Sequence, residues 1–280
     1  MPRKGPLTMI RLIPIGVLFA ALMMAFSPTM PAYAGDDDPW PGIAKDLFEG
    51  RTIEETSQIV LDAPYRAEDA GVVPISVKLP ADLAEQVSKL TLVIDKNPMP
   101  VVAAFTFGAG AGNGDRIIST RVRFDMYSNL RAIAETKDGK LLMVSRFVKA
   151  AGGCSAPALK DADQALANLG KMQVKMFGDD QSKGSSAPMK EAQLMIRHPN
   201  YSGMQMNQLT GYYIPAKYIQ EIEVKRGDEL VFKIDAGISL SEDPNIRFTY
   251  GAGSAGESIE VTAKDSDGNV FTGHATPKNS

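Results

Sequence analysis

The chain has a single cysteine in 280 residues, Cys154, in the run Ala150-Ala151-Gly152-Gly153-Cys154-Ser155-Ala156-Pro157. Two preceding glycines lift the steric limits on φ/ψ and a following proline blocks regular pairing, so the local composition predicts an exposed, mobile loop. A structural cysteine more often lies inside an apolar run. With no second cysteine there is no intramolecular disulfide, and the pattern points to a thiol kept for chemistry. Such chemistry needs exposure and some thiolate. A free cysteine ionises near ~8.5, and a helix N-terminus lowers that value. Ser155 as the cap of a helix beginning around Pro157 would place the sulfur at such a positive end. The plainer alternative is an inert loop cysteine, or one that merely dimerises the chain.

Other candidate chemistry is sparse. His198, one of two histidines, sits in Arg197-His198-Pro199, where a histidine before proline at a strand end is expected to anchor a turn by hydrogen bonding. His274 falls in a C-terminal tail. Two histidines and one cysteine, without His-x-x-x-His or Cys-x-x-Cys spacing, argue against a transition-metal site. The run Gly108-Ala109-Gly110-Ala111-Gly112-Asn113-Gly114 lacks the Gly-Lys-Ser/Thr ending of a phosphate loop and reads as a long hairpin loop. Met204 and Met206, in the loop from Tyr201 to Tyr213, offer either an adaptable contact surface or plain loop packing. There is no Gly-x-Ser-x-Gly and no spacing that argues for a Ser/His/Asp set, so no enzyme active site and no cofactor are expected. A thiol oxidoreductase would lack its resolving cysteine and would need an external thiol.

The elements that must position Cys154 are mostly strands. Residues 1–34 read as a signal peptide: Arg3, Lys4 and Arg11 form a basic head, residues 12–26 are apolar, and Ala32-Tyr33-Ala34 is a small-x-small cleavage site. The apolar run is short for a membrane span and no Arg-Arg pair precedes it, so general secretory export to a periplasm, with cleavage near Ala34, is expected. The mature chain then holds 27 basic and 33 acidic residues, a net charge of −6. That balance argues against nucleic-acid binding. Without disulfide staples, hydrophobic cores must stabilise the chain, and its length suffices for two modest ones.

Residues 36–59 have the apolar spacing of short amphipathic helices (Ile43, Leu47, Ile53, Ile59). Strand-like alternation follows at 73–79, 90–94, 101–107, 117–124, 128–135 and 141–148, with a hairpin signal at Lys137-Asp138-Gly139-Lys140. Residues 158–169 turn helix-friendly, and 178–188 read as a flexible linker. Alternation resumes at 192–196, 219–224, 229–234, 246–250, 258–263 and 270–273. The expectation is an all-β chain of two sandwich domains: 35–155 ending at Gly-Gly-Cys, a linker at 156–188, and 189–280.

The ordered motifs resemble a fused SoxYZ-like sulfur carrier protein, and more closely the SoxYZ-like carrier family associated with quinoprotein dehydrogenases. The SoxY-like half is carried by Trp40, Leu61-Asp62-Ala63-Pro64, Ala67-Glu68-Asp69-Ala70, Val72-Val73-Pro74-Ile75, Ile94-Asp95-Lys96-Asn97-Pro98 and Gly152-Gly153-Cys154. The SoxZ-like half is carried by Ile196-Arg197-His198-Pro199, Ile214-Pro215-Ala216-Lys217-Tyr218-Ile219 and Ser241-Glu242-Asp243-Pro244-Asn245-Ile246. The resemblance implies immunoglobulin-like sandwiches for both halves and a sulfur-containing, thiosulfate-like cargo held covalently on Cys154. Gly152 and Gly153 would be the hinge of a swinging arm. Partners would be periplasmic redox enzymes, a c-type cytochrome or a quinoprotein dehydrogenase. In SoxY the Gly-Gly-Cys lies at the extreme C-terminus, whereas here about 125 residues follow, so the arm must present itself as a loop. SoxY proteins typically use twin-arginine export, and the absent Arg-Arg pair is a second departure. The rival reading is an adaptor for a quinoprotein (PQQ) alcohol dehydrogenase, in which Cys154 is not the working group.

Overall fold

Where residues alternate apolar and polar, the chain forms two stacked sheets. The computed structural model describes residues 1, 5, 38–157, 162–177, 189–253 and 257–276. The signal-peptide and 178–188 linker expectations lie outside those residues, Met1 and Gly5 apart. Among the described residues no helix is long and apolar enough to cross a membrane.

Fifteen strands are described. The first eight are β1 (Ile53–Glu55), β2 (Val60–Asp62), β3 (Val73–Leu79), β4 (Val87–Ile94), β5 (Val101–Phe107), β6 (Arg116–Val122), β7 (Ser128–Thr136) and β8 (Leu141–Val148). The remainder are β9 (Met172–Phe177), β10 (Met189–Ile196), β11 (Ile219–Arg226), β12 (Glu229–Ala236), β13 (Asn245–Gly251), β14 (Ile259–Asp265) and β15 (Val270–Ala275). Helix α1 (Trp40–Phe48) precedes them, α2 (Ala81–Ala84) links β3 to β4, and α3 (Ala162–Ala167) precedes β9.

The sheets run through both halves of the chain. A nine-stranded sheet has the order β1-β8-β7-β4-β5-β12-β11-β14-β15, and a six-stranded one the order β2-β3-β6-β13-β10-β9. The halves therefore join edge to edge, through Phe107 to Ala103 of β5 against Phe232 to Ala236 of β12 and through β6 against β13. Pairing β5 with β12 and β6 with β13 removes four strand edges that would otherwise invite aggregation.

The main core is shared by both halves, and a smaller cluster lies under α1. A single buried cluster includes Leu90, Leu92, Phe105 and Ile118 from the first half and Ile222, Phe232, Phe248 and Val261 from the second. Phe232 is the join, with ring centroids 5.8 Å from Phe105 and 4.9 Å from Phe248, both edge-on. That geometry suits the ring quadrupoles. The glycines of 108–114 serve the same join. A Cβ on Gly108 would meet the Leu230 carbonyl oxygen at 2.4 Å, and one on Gly112 would meet Gly251 Cα at 2.5 Å.

Two further expectations shift. Residues 172–177, inside the stretch read as linker, form edge strand β9 on β10. Ile53, read as helical, begins β1, which pairs parallel with β8. α1 lies over the outer face of the nine-stranded sheet, where Trp40, Ile43 and Phe48 pack with Val93, Ile133 and Leu141. This cover explains why β4 is buried along five consecutive residues, Leu90 to Ile94, instead of alternating.

Candidate functional site

β8 delivers the chain to the site. Beyond Val148, Lys149 forms a parallel bridge with Arg66, and the backbone then turns through Gly152, Gly153 and Cys154. The two glycines are needed for different reasons. Gly152 is exposed and adopts φ +80°, a left-handed conformation that disfavours a side chain although the space around it is open. Gly153 is buried, and a Cβ there would lie 2.0 Å from the Ala70 carbonyl oxygen and 2.8 Å from that of Phe124. Its absence of side chain lets the turn lie flat on the 70 and 124 backbones. Two hydrogen bonds hold it: Gly152 N–H donates to the Asp125 carbonyl at 2.8 Å, and Gly153 N–H to the Phe124 carbonyl at 2.8 Å. The glycines dock the turn in this state.

Cys154 is fully buried, at 0% exposure, which corrects the expectation of an exposed loop thiol. Burial pushes its pKa up to about 12, nearby Asp125 adds to the rise, and the Arg123 guanidinium opposes it. The helix expected to begin around Pro157 lies outside the described residues. The Ser155 hydroxyl donates to the Gly152 carbonyl at 3.3 Å. The thiol is protonated at neutral pH. With a pKa near 12 only ~10⁻⁵ of it would be thiolate at pH 7, against ~3% for a free thiol.

The second half of the chain also holds Cys154, through its backbone carbonyl. The Ser202 hydroxyl makes a short hydrogen bond to the Cys154 carbonyl and accepts from Met204 N–H at 3.1 Å. Ser202 N–H in turn donates to Gln205 Oε1 at 3.0 Å, and both side chains are buried. These residues root a loop, 201–217, whose neck is closed by a Tyr201–Lys217 bridge and by Ile219 N–H donating to Asn200 Oδ1.

Arg123 ties the floor together. Its buried guanidinium donates to the carbonyls of Asn200 (2.6 Å), Leu240 (2.9 Å) and Ile238 (3.3 Å), and its backbone N–H to that of Ser239 (2.8 Å). Burial lowers its pKa, while the charges of a Cys154 thiolate and of Glu242 pull it back up. Beside it a cleft lined by Gly71, Gly153, Gln205 and Glu242 has room for about 20 Å³, one water molecule's worth. In this state nothing larger than water approaches the turn from that side.

His198 belongs to the scaffold. It is buried, its Nδ1 accepts from Asn200 N–H at 3.1 Å, and its Nε2 lies 3.5 Å from Asp265 Oδ2. Burial lowers its pKa. His274 lies in β15 opposite Glu260, not in a tail. Among the described residues no group of three His, Cys, Asp or Glu side chains is placed to hold a metal ion. Arg123, Ser202 and Gln205 were not legible as site residues, because none carries a motif and their meeting with Cys154 depends on how the halves join.

Comparison with known proteins gives two family matches in tandem. Residues 44–154 match the sulfur oxidation protein SoxY, a match that ends on Cys154, and residues 179–276 match the sulphur oxidation protein SoxZ. Among solved structures, the sulfur carrier protein SoxY from Chlorobium limicola f thiosulfatophilum is similar at 25% identity, over 40% of this chain and 90% of that one, with a TM-score of 0.32. A beta-glycosidase from Bacteroides vulgatus (9% identity, 79% of this chain, 25% of that one, TM-score 0.23) also matches. So does a glycoside hydrolase family 2 beta-glucuronidase (11%, 78% and 20%, TM-score 0.23). No curated protein sequence matches the chain.

Proposed function

The chain belongs to the SoxY and SoxZ sulfur oxidation proteins, joined in that order in one polypeptide, and from that premise we propose that it is an exported, non-enzymatic carrier that holds a thiosulfate-like intermediate on Cys154. The observation that carries the proposal is that the SoxY match runs to the one cysteine of the chain and stops there. Carriers of this family work with partner sulfur-oxidation enzymes. Here the partner is a periplasmic redox enzyme, a c-type cytochrome or a quinoprotein dehydrogenase, reached after cleavage near Ala34.

Loading is oxidative. Cys154–SH and a thiosulfate dianion form one S–S bond, releasing a proton to solvent and two electrons to the partner's redox centre. The reacting species is the thiolate, so the turn has to open before the bond forms. Opening breaks the hydrogen bonds of Gly152, Gly153 and Ser202, at about 1 kcal/mol each, or about 3 kcal/mol together. A free-energy difference of that size leaves roughly one molecule in 150 open at any moment. Gly152 and Gly153 then act as the hinge, and the closed state keeps the bare thiol from stray oxidants.

The second reading is an adaptor for a quinoprotein alcohol dehydrogenase, and the full burial of Cys154 is the observation in its favour. Cys154→Ser separates the two. In the native host the carrier loses thiosulfate-dependent oxygen uptake with this substitution while its fold and expression persist. An adaptor is indifferent to it, and unaltered uptake by the variant would end the carrier reading.

A further inference from the structure

Hydrogen bonds link the Cys154 turn to two segments of the chain that carry exposed apolar residues. The first is the tip of loop 201–217. From Met204 to Pro215 the chain carries no charge, and Leu209, Tyr212 and Tyr213 are 97%, 76% and 67% exposed. The tip is ordered by its own polar groups: the Asn207 side chain accepts from Leu209 and Thr210 N–H at 2.9 and 3.1 Å, and Asn207 N–H donates to the Tyr212 carbonyl. The backbone is thus fixed without burying the apolar side chains it displays. At the root of the same loop, Ser202 bonds the Cys154 carbonyl.

The second surface lies on the first half. Asp125, whose carbonyl receives Gly152 N–H, is followed by exposed Met126 and Tyr127. Lys149, five residues before Cys154, donates its N–H to the Tyr65 carbonyl and sets its ammonium 4.8 Å from the Tyr65 ring, which packs on exposed Phe147. Among the described residues, eight of the fourteen exposed large hydrophobics belong to these two surfaces. Single exposed apolar residues are ordinary, but a concentration around one turn marks an interaction site.

We propose that these surfaces form one docking face for the redox enzyme that loads Cys154, and that seating Leu209, Tyr212 and Tyr213 in that enzyme draws Ser202 off the turn. The proposal rests on the carrier reading. Ser202, at the root of this loop, holds the Cys154 carbonyl, so an enzyme that grips the loop acts on a bond that keeps the turn closed. The absence of charge from 204 to 215 calls for a partner with an uncharged, apolar rim around its active-site mouth. The two tyrosines and the leucine supply rigid anchors for such a rim, with hydroxyls for its polar edge.

The test is a triple variant, Leu209→Ser with Tyr212→Ser and Tyr213→Ser, produced in the native host beside wild type and a Leu47→Ser/Val270→Ser control. Each protein is isolated without reductant, its Cys154 adduct occupancy is read by intact mass, and its thermal unfolding and sedimentation are recorded. The expected result is at least a tenfold fall in occupancy for the triple variant only, with unfolding unchanged and every protein monomeric. Occupancy in the triple variant equal to or above wild type overturns the proposal. So does wild type that self-associates through a contact the triple variant loses, since the face then belongs to a second copy. Wild type with no adduct at all sinks the carrier reading itself, a result distinct from either.

Discussion

Replacing Ser202 with alanine removes a side-chain hydrogen bond that holds Cys154 from across the chain. In the closed state the Ser202 hydroxyl donates to the buried Cys154 carbonyl and accepts from Met204 N–H. Without it both backbone groups lose a partner in a site with little room for water. An unsatisfied buried group costs about 1–3 kcal/mol, which multiplies the open population of the turn by roughly 5 to 150. The assay is the pseudo-first-order rate of Cys154 with a disulfide reagent at several pH values, referenced to the same chain in denaturant. Wild type should react at least ~150 times more slowly than the denatured chain, from the three hydrogen bonds of the turn at about 1 kcal/mol each. Its rate should keep climbing about tenfold per pH unit past ~8.5, where a free thiol levels off, because opening and ionisation are coupled. Ser202→Ala should react roughly 5 to 150 times faster than wild type, with thermal unfolding only slightly lowered. Wild type reacting as fast as the denatured chain, or Ser202→Ala reacting no faster than wild type, would refute the reasoning.

Other consequences follow from the same contacts. Gly153→Ala puts a Cβ 2.0 Å from the Ala70 carbonyl oxygen, so the turn cannot dock. Its thiol should label near the denatured rate, and persistent protection would show that the turn tolerates the methyl group. Phe232→Ala empties the centre of a core shared by both halves and should cost about 3–5 kcal/mol. Denaturant titration should keep a single transition, whereas two separated ones would mean that the halves have separate cores. Burial raises the folded thiol to about 12, against ~8.5 in the unfolded chain. Below ~8.5 both states hold the proton and the contribution is fully present. Above it only the unfolded state ionises, so stability falls by about 1.4 kcal/mol per pH unit towards pH 12. Cys154→Ala should lack that part of the slope, and matching slopes for the two proteins would contradict the burial.

Much of the fold was legible because its signals are local. β3, β5 and β8 begin and end where apolar runs of strand length and turn residues place them; β3 alternates because one face meets the core, while β5 is buried along four consecutive residues, Val102 to Phe105. The continuous apolar run of β4 also reads correctly as a buried strand, although the reason, α1 lying on its outer side, lies outside the run. β1 and β2, of three residues each, escaped detection for want of pattern, whereas β9 does alternate, Met172, Val174 and Met176 facing the core, and was passed over beside the linker. The glycines of 108–114 look like a loose loop, yet their use is the close approach of Leu230 and Gly251, more than a hundred residues away. Cys154 fails for the same reason. Glycine, serine and proline around it do specify a turn, but whether a turn is exposed depends on what lies over it. Ala70, Phe124 and Ser202 lie over this one, and no spacing announces them.

The central claim is that Cys154 carries cargo, and the most direct measurement is the intact mass of the protein isolated without reductant from its native host, grown on thiosulfate, before and after a mild thiol reductant. The carrier account predicts a reductant-labile mass increment that maps to the peptide containing Cys154 and matches a sulfur-containing group. A bare thiol, or a simple disulfide-linked dimer, under growth conditions that require the protein would contradict it.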